Sequence, residues 1–416
     1  VSTSLVVTLD WLGERRTVGQ LDVFTSQRGT ERYQFTYDRD WCRTGFAIDP
    51  DLDLLPGMPF QASKLWGAFQ DIAPDRWGRL VQDRVLDRYL NESDYLLGVS
   101  DHMRMGALRL SLAETPGEFL ALTTDVPKLV HLRALEAAIE RLEQGVQTDT
   151  DLALLAQPGS SLGGAHPKAA IEDKGKLYIA KFQSRLDTER VGAWEATVLD
   201  LAGAAGLRVA KHRLLNANGE RPVLLVERFD RQQGGRVPFA SAMTLAARDE
   251  QSADAASYLE LADVIKATSA QPKLDQVELW RRMTFNALCG NTDDHLRNHG
   301  FLREPQGWRL SPAYDLNPDR HALDRRRHAL SFDGEQRRPS LQLCLDLADY
   351  FGVDETIQAH ALGALGKALT SWQDLAKHNG LRGEEIKRMS GAFEHADTER
   401  LQALTVVSRQ KRSRGC

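Results

Sequence analysis

Cysteine is scarce in this chain. Cys42, Cys289, Cys344 and Cys416 are the only four in 416 residues, with no CxxC pair and no regular spacing. That argues against a zinc ribbon or a disulfide framework and predicts a reducing compartment. Long apolar runs are missing too: no stretch of 18 apolar residues occurs, so no membrane-spanning helix and no membrane partner are expected. The opening "VSTSLVVTLDWLGERR" has no basic stretch ahead of its short apolar run, unlike a secretory signal, and a cytoplasmic protein is expected. Charge of one sign is not in excess. With 53 basic and 58 acidic residues the net charge is −5, unlike a protein whose task is to coat nucleic acid. Internal repeats and low-complexity segments are absent.

What is present is ordinary globular material. Hydrophobic residues make up 42% and charged residues 27%, enough for a sizeable core. At about 150 residues per domain, two or three domains are expected. Residues 1–150 mix strand-like runs, "SLVVTL" and "RYQFTY", with a helix after Pro74 in "PDRWGRLVQDRVLDRYL" and a second over about 128–144 that ends at Gly145. Residues 151–230 begin with a glycine-rich stretch. "KAAIED" and "KLYIAKF" follow as two strands turning at Asp173–Gly175. "GAWEATVLDLAGAAG" then reads as a helix, and "KHRLLNANGERPVLLVERFD" as a hairpin turning near Asn218–Gly219. Residues 231–416 are mainly helical. A helix over 274–289, with Val277, Trp280, Thr284, Ala287 and Leu288 along one stripe, leads into "GNTDDHLRNHG" at 290–300.

That last segment admits two chemistries. His295 and His299 are four apart, as in a helical zinc motif, but no glutamate stands where the base should be, and glycines bracket the segment as a loop. Phosphoryl transfer fits better. It needs a carboxylate for the acceptor hydroxyl, hard oxygen ligands for Mg²⁺, and a lysine with backbone N–H groups for the phosphates. Asp293 and Asn298 have the D-x-x-x-x-N spacing of a kinase catalytic loop. Asp315 in "LSPAYDLNPD" follows a short hairpin (299–302 and 308–310), in the order of a second metal carboxylate.

Upstream, "GSSLGGAHPK" is not a Walker loop, yet its glycines would let backbone N–H groups approach phosphate; Ser161, Leu162, Gly163, Gly164 and Ala165 lie in it. Lys181 sits in a strand, and Glu195 at the start of the next helix could pair with it. Glu227, Arg228 and Phe229, in "LLVERFDR", lie where a linking strand could offer backbone groups to adenine. Each feature alone is more often structural: a strand lysine snorkels, a helix-start glutamate serves the dipole, and a glycine-rich stretch is a linker. Their order is what points to a kinase.

The motifs "SSLGGAHPKAAI", "IAKF", "WEAT", "ERFDR", "NTDDHLRN" and "SPAYDL" together resemble the HipA family of toxin serine/threonine kinases, over roughly 150–320. The resemblance implies an α+β, two-lobed, protein-kinase-like fold. It would have a β-rich small lobe, an added N-terminal subdomain, and a large, mainly α-helical C-terminal lobe. It implies ATP and Mg²⁺ as cofactors. Asp293 corresponds to the catalytic aspartate, Asn298 and Asp315 to the metal ligands, and Lys181 to the phosphate lysine. Lys168 closes the glycine-rich motif, and His295 falls on the cofactor side. Ser161, or the adjacent Ser160, corresponds to an autophosphorylated serine whose modification would inactivate the enzyme by charge. The implied partners are a small helix-turn-helix antitoxin (HipB-like), operator DNA reached through it, and a protein substrate such as an aminoacyl-tRNA synthetase.

"DDHLRN" departs from the family's commoner "DGHxKN" at Asp294 and Arg297, which bears on substrate identity. The basic stretches 320–330 and 408–416 could meet an acidic partner or DNA, or be solvated surface. Two other classes remain as alternatives: a small-molecule phosphotransferase of the aminoglycoside-kinase type, and a catalytically silent co-repressor module.

Overall fold

The computed structural model describes residues 2–120, 126–156, 166–216 and 219–413, with side chains through 404. The chain forms two compact units: residues 1–186 with 226–249, and residues 187–225 with 250–416.

The first unit is built on an antiparallel five-stranded sheet. Its strands are β1 (Ser2–Trp11), β2 (Glu14–Thr25), β3 (Glu31–Tyr37), β4 (Pro59–Ala62) and β5 (Leu108–Leu112), in the order β4-β3-β2-β1-β5. Alternation decides the buried face. In β3, Tyr33, Phe35 and Tyr37 point inward, and Phe35 meets the edge of Tyr37 with ring centroids 4.8 Å apart. Leu5 and Val7 of β1, Leu21 of β2, Trp41 and Phe69 complete the core. The expected helix after Pro74 spans Arg76–Leu86 and is capped by Asp75, whose side chain accepts from the Gly78 N–H. The expected helix at 128–144 begins with a 3₁₀ turn at Leu129–His131, runs as α-helix over Leu132–Gln144, and ends on Gly145 at φ +73°.

Also in the first unit, β6 (Lys168–Asp173) and β7 (Lys176–Lys181) pair antiparallel. Their turn places Lys174 at φ +50° and Gly175 at φ +76°, the left-handed geometry that a two-residue hairpin needs. Ala170 and Ile179 pack on Met103.

The second unit is mostly helical. The Val191–Ala204 helix buries Trp194, which stacks on Phe393, and Phe393 stacks in turn on Trp372. The Pro272–Cys289 helix is enclosed nearly all round; Trp280, Met283 and Phe285 are buried, and Trp280 Nε1 donates to the Cys344 carbonyl at 2.7 Å. It starts on a proline that needs no intrahelical partner and stops at Gly290, φ +71°. A side chain at 290 would meet the Asp319 carbonyl at 2.9 Å and the Arg326 guanidinium at 3.1 Å, so the chain leaves the helix where only glycine fits. The antiparallel hairpin of Gly300–Glu304 and Gly307–Leu310 follows the loop.

Cys42, Cys289 and Cys344 are free thiols. No described helix is long and apolar enough to cross a membrane.

Candidate active site in the second unit

The segment after Gly290 is a loop closed by a single 3₁₀ turn, Leu296–Asn298. Its two adjacent aspartates face opposite ways. Asp293 is exposed, whereas Asp294 is buried. The Asn298 amide Nδ2 donates to the Asp293 carbonyl at 2.7 Å, which fixes the loop and leaves the amide oxygen as an acceptor.

Asp315 lies on the next loop, at φ +58°. A non-glycine residue in that region costs about 1 kcal/mol and marks a constrained position. Two hydrogen bonds tie this loop to the first. The Tyr314 hydroxyl donates to the Arg297 carbonyl at 2.7 Å, and the Asn317 N–H donates to Asn291 Oδ1 at 3.1 Å. Further along, the Asp319 N–H donates to the Gly290 carbonyl at 2.7 Å and the Ala329 N–H to the Thr292 carbonyl at 2.8 Å. Asp293, Asn298 and Asp315 therefore stand on cross-braced loops of one unit.

The oxygens here suit a hard divalent cation. Asn317 Nδ2 donates to Asp315 Oδ1 at 3.3 Å, and Asn317 Oδ1 is buried with no hydrogen-bond partner among the described residues. Carboxylate and amide oxygens of this kind are what Mg²⁺ takes in preference to nitrogen or sulfur. The two histidines of the loop differ in setting. His299 is buried edge-on to Tyr258, and burial pushes its imidazole down to about 4. His295 stands at the N-cap position of the 3₁₀ turn without a side-chain capping bond, its Nδ1 buried and unpaired among the described residues. Among those residues no three His, Cys, Asp or Glu side chains gather as a metal cluster.

The residues around Asp294 were not legible in the sequence. Tyr258 donates its hydroxyl to Asp294 Oδ2, and His328 Nδ1 lies 3.2 Å from the same oxygen. Burial pushes the Asp294 carboxyl up, but His328 and Tyr258 outweigh it and hold it below the usual range. Asn286 Nδ2 donates to the Tyr258 oxygen at 3.0 Å. These residues lie far apart in sequence, and only the fold brings them to the loop. Arg297 pairs with Glu250 at 3.0 Å.

Other expected site residues have these surroundings. Glu195 is buried in the second unit, on the Val191–Ala204 helix. Lys181 ends β7 in the first unit. Lys168, also in the first unit, is buried 2.8 Å from Asp75; burial pushes the Asp75 carboxyl up, and Lys168 offsets part of that. Glu227 pairs with Lys176 at 3.0 Å. Arg228 is buried, with its guanidinium on Asp230 and on the Met103 carbonyl (2.7 Å), and its N–H donates to the Leu177 carbonyl at 2.9 Å. Phe229 packs near Phe239, with ring centroids 6.3 Å apart. Ser160, Ser161, Leu162, Gly163, Gly164 and Ala165 lie outside the described residues, as do the side chains of the 408–416 tail.

The fold is α+β and protein-kinase-like. HipA from Shewanella oneidensis MR-1, solved in a toxin–antitoxin complex with HipB and operator DNA, superposes with a TM-score of 0.63 over 96% of both chains at 18% identity. The family model described as the HipA-like C-terminal domain matches residues 160–397, more than half of the chain. The chain belongs to the HipA family, a family of kinases. The serine/threonine-protein kinase toxin HipA of Shewanella oneidensis is 23% identical over 351 residues, 76% of each chain. Y4mE of Sinorhizobium fredii, whose name proposes a kinase, is 32% identical over 150 residues. That match spans only about a third (34%) of the length of Y4mE.

Proposed function

We propose that this chain is an ATP- and Mg²⁺-dependent protein serine/threonine kinase, the toxin of a toxin–antitoxin pair. The observation that carries the reading is the bracing of two loops, with the Asn298 amide on the Asp293 carbonyl and Tyr314 and Asn317 bonded back to the first loop. Such pre-organisation is what phosphoryl transfer asks of a protein, since positioning and charge supply most of its rate.

Asp293, exposed at the loop surface, orients the acceptor serine or threonine hydroxyl and takes its proton. The hydroxyl oxygen bonds to the γ-phosphorus, the bond to the bridging oxygen breaks, and ADP departs. Asn298 and Asp315 hold Mg²⁺, which neutralises charge on the phosphate oxygens when bound. In the first unit, Lys181 is assigned to the ATP phosphates, the glycine-rich 161–165 segment to their backbone cradle, and Lys168 to the end of that segment. Glu195 and His295 are assigned supporting places on the cofactor side, and Glu227, Arg228 and Phe229 a place at the adenine. The N–H of Arg228 is already used by Leu177, so adenine would be met by other backbone groups of that stretch.

Autophosphorylation at Ser161, or Ser160, would silence the enzyme by placing a dianion in the phosphate cradle. The partners are a HipB-like helix-turn-helix antitoxin with operator DNA behind it, and a protein substrate, for which an aminoacyl-tRNA synthetase is the first candidate. The cytoplasm is the expected site of action.

Intact mass after incubation with Mg-ATP tests the reading. The wild type should gain about 80 Da, one phosphoryl group, and Asp293→Ala should gain nothing. Label from γ-labelled ATP that appears only on small metabolites in a lysate would favour the aminoglycoside-kinase alternative. Growth arrest that persists with Asp293→Ala would point to the silent module.

A further inference from the structure

One of the two ties between the loops, the Asn317–Asn291 bond, continues into the interior of the second unit as a hydrogen-bond chain. Its start is Asn317. The side-chain Nδ2 of Asn317 donates to Asp315 Oδ1 at 3.3 Å, while its backbone N–H donates the other way, to Asn291 Oδ1 at 3.1 Å. Asn291 Nδ2 donates to Asn286 Oδ1 at 3.2 Å, Asn286 Nδ2 donates to the Tyr258 oxygen at 3.0 Å, and the Tyr258 hydroxyl donates to Asp294 Oδ2. His328 Nδ1 lies 3.3 and 3.2 Å from the two Asp294 oxygens.

The sense of the chain is fixed by its ends. Asp294, as a carboxylate, only accepts, so the Tyr258 hydroxyl donates to it, and Asn286 and Asn291 must each turn the amide oxygen toward Asn317 and the NH₂ toward Tyr258. Asn317 itself turns its NH₂ to Asp315 and enters the chain through its backbone N–H. Flipping Asn286 or Asn291 would leave a buried donor facing a donor, and flipping Asn317 would turn its oxygen on the Asp315 carboxylate, each at a cost of about 1–3 kcal/mol. Tyr258, Asn286, Asn291 and Asp294 are all buried. From Asn291 to Asp294 each link of the chain is paired, and such a buried run is rigid and specifies one arrangement; at its outer end Asn317 Oδ1 is without a partner among the described residues.

We infer that Asp294, through Tyr258, Asn286 and Asn291, is a positioning residue that sets where Asp315 and Asn317 stand. The two aspartates of the doublet divide the work. Asp293 meets the reactants at the surface, and Asp294 anchors the interior end of a strut whose far end is the metal carboxylate. The inference rests on the kinase reading for what the strut serves, though not for its existence.

The test measures Mn²⁺ affinity by electron paramagnetic resonance in the presence of the non-hydrolysable analogue adenylyl imidodiphosphate. Tyr258→Phe removes one hydroxyl remote from Asp315 and should weaken Mn²⁺ binding about tenfold. Asn317→Ala should do the same. Because both act on one strut, the double variant should be no weaker than Asn317→Ala alone. In phosphate transfer, Tyr258→Phe should raise the Mg²⁺ requirement by a similar factor, recover its rate at high Mg²⁺, and leave KM for the protein substrate unchanged. A merely structural tyrosine would lower the melting temperature without that split. Mn²⁺ affinity within twofold of wild type in Tyr258→Phe overturns the inference, and so do effects that multiply in the double variant. A wild type that binds Mn²⁺ and the analogue yet transfers no phosphate overturns the kinase reading alone, because the strut is still read from the affinities. A wild type that binds no Mn²⁺ overturns both.

Discussion

Lys168 Nζ stands 2.8 Å from Asp75 Oδ2, and both side chains are almost wholly enclosed. Asp75 also caps the Arg76–Leu86 helix through the Gly78 N–H. Removing one member of such a pair strands the other charge, at about 3–5 kcal/mol. Asp75→Asn keeps an acceptor for the cap but loses the charge, so it should still cost most of that. Asp75→Ala should cost about 1 kcal/mol more for the lost cap. Urea unfolding of the full chain checks both values.

Asp293 is exposed, so its replacement should touch catalysis and not folding. Asp293→Asn should lower phosphate transfer at least 1000-fold, on the scale of other lost transfer groups, and move stability by less than about 0.5 kcal/mol. Radiolabel transfer and a melting curve on the same sample separate the two.

Asp315 is held at φ +58°. Asp315→Ala should be about 1 kcal/mol less stable than Asp315→Gly, because only glycine takes the left-handed region freely. Both should lose Mg²⁺-dependent transfer. Equal stabilities would show that the backbone relaxes when the carboxylate is removed.

Asp49 gives a prediction against intuition. Its carboxylate accepts from the N–H groups of Ala68 and Asp51, but burial outweighs these and pushes it up to about 6. Between the ordinary carboxyl range near 4 and 6, the folded state binds more protons than the unfolded one, so this group's contribution to stability falls as pH rises through that window. Above it, the buried charge is a net burden. Asp49→Asn keeps an acceptor for Ala68 and should stabilise the protein at pH 7 by about 3 kcal/mol, with little change at pH 4. Chemical unfolding at the two pH values decides it.

Local chemistry was the legible part of the fold. The β6–β7 turn could be read because Lys174 and Gly175 supply the left-handed pair, and the 300–310 hairpin and the 191–204 helix could be read from their patterns. The Pro272–Cys289 helix is legible through a single apolar stripe, yet it buries Glu278, Arg282 and Asn286 as well, in an ion pair and in side-chain hydrogen bonds that no periodicity reveals. At the candidate site, spacing alone placed Asp293 beside Asn298. It could not say which of two adjacent aspartates turns inward, because that depends on Tyr258 and His328, which arrive from 36 and 34 residues away. Lys168 likewise gave no hint of Asp75, since an ion pair between distant segments leaves no local pattern.

The contact at Gly290 carries one more implication. With the Asp319 carbonyl and the Arg326 guanidinium closing in where a methyl would sit, even alanine there must push two later segments aside. The seam between helix and loop is thus a shared keystone. A single added carbon would disturb Asp293 by way of the chain and Asp315 by way of Asp319, so damage at 290 would reach both carboxylates together while touching neither.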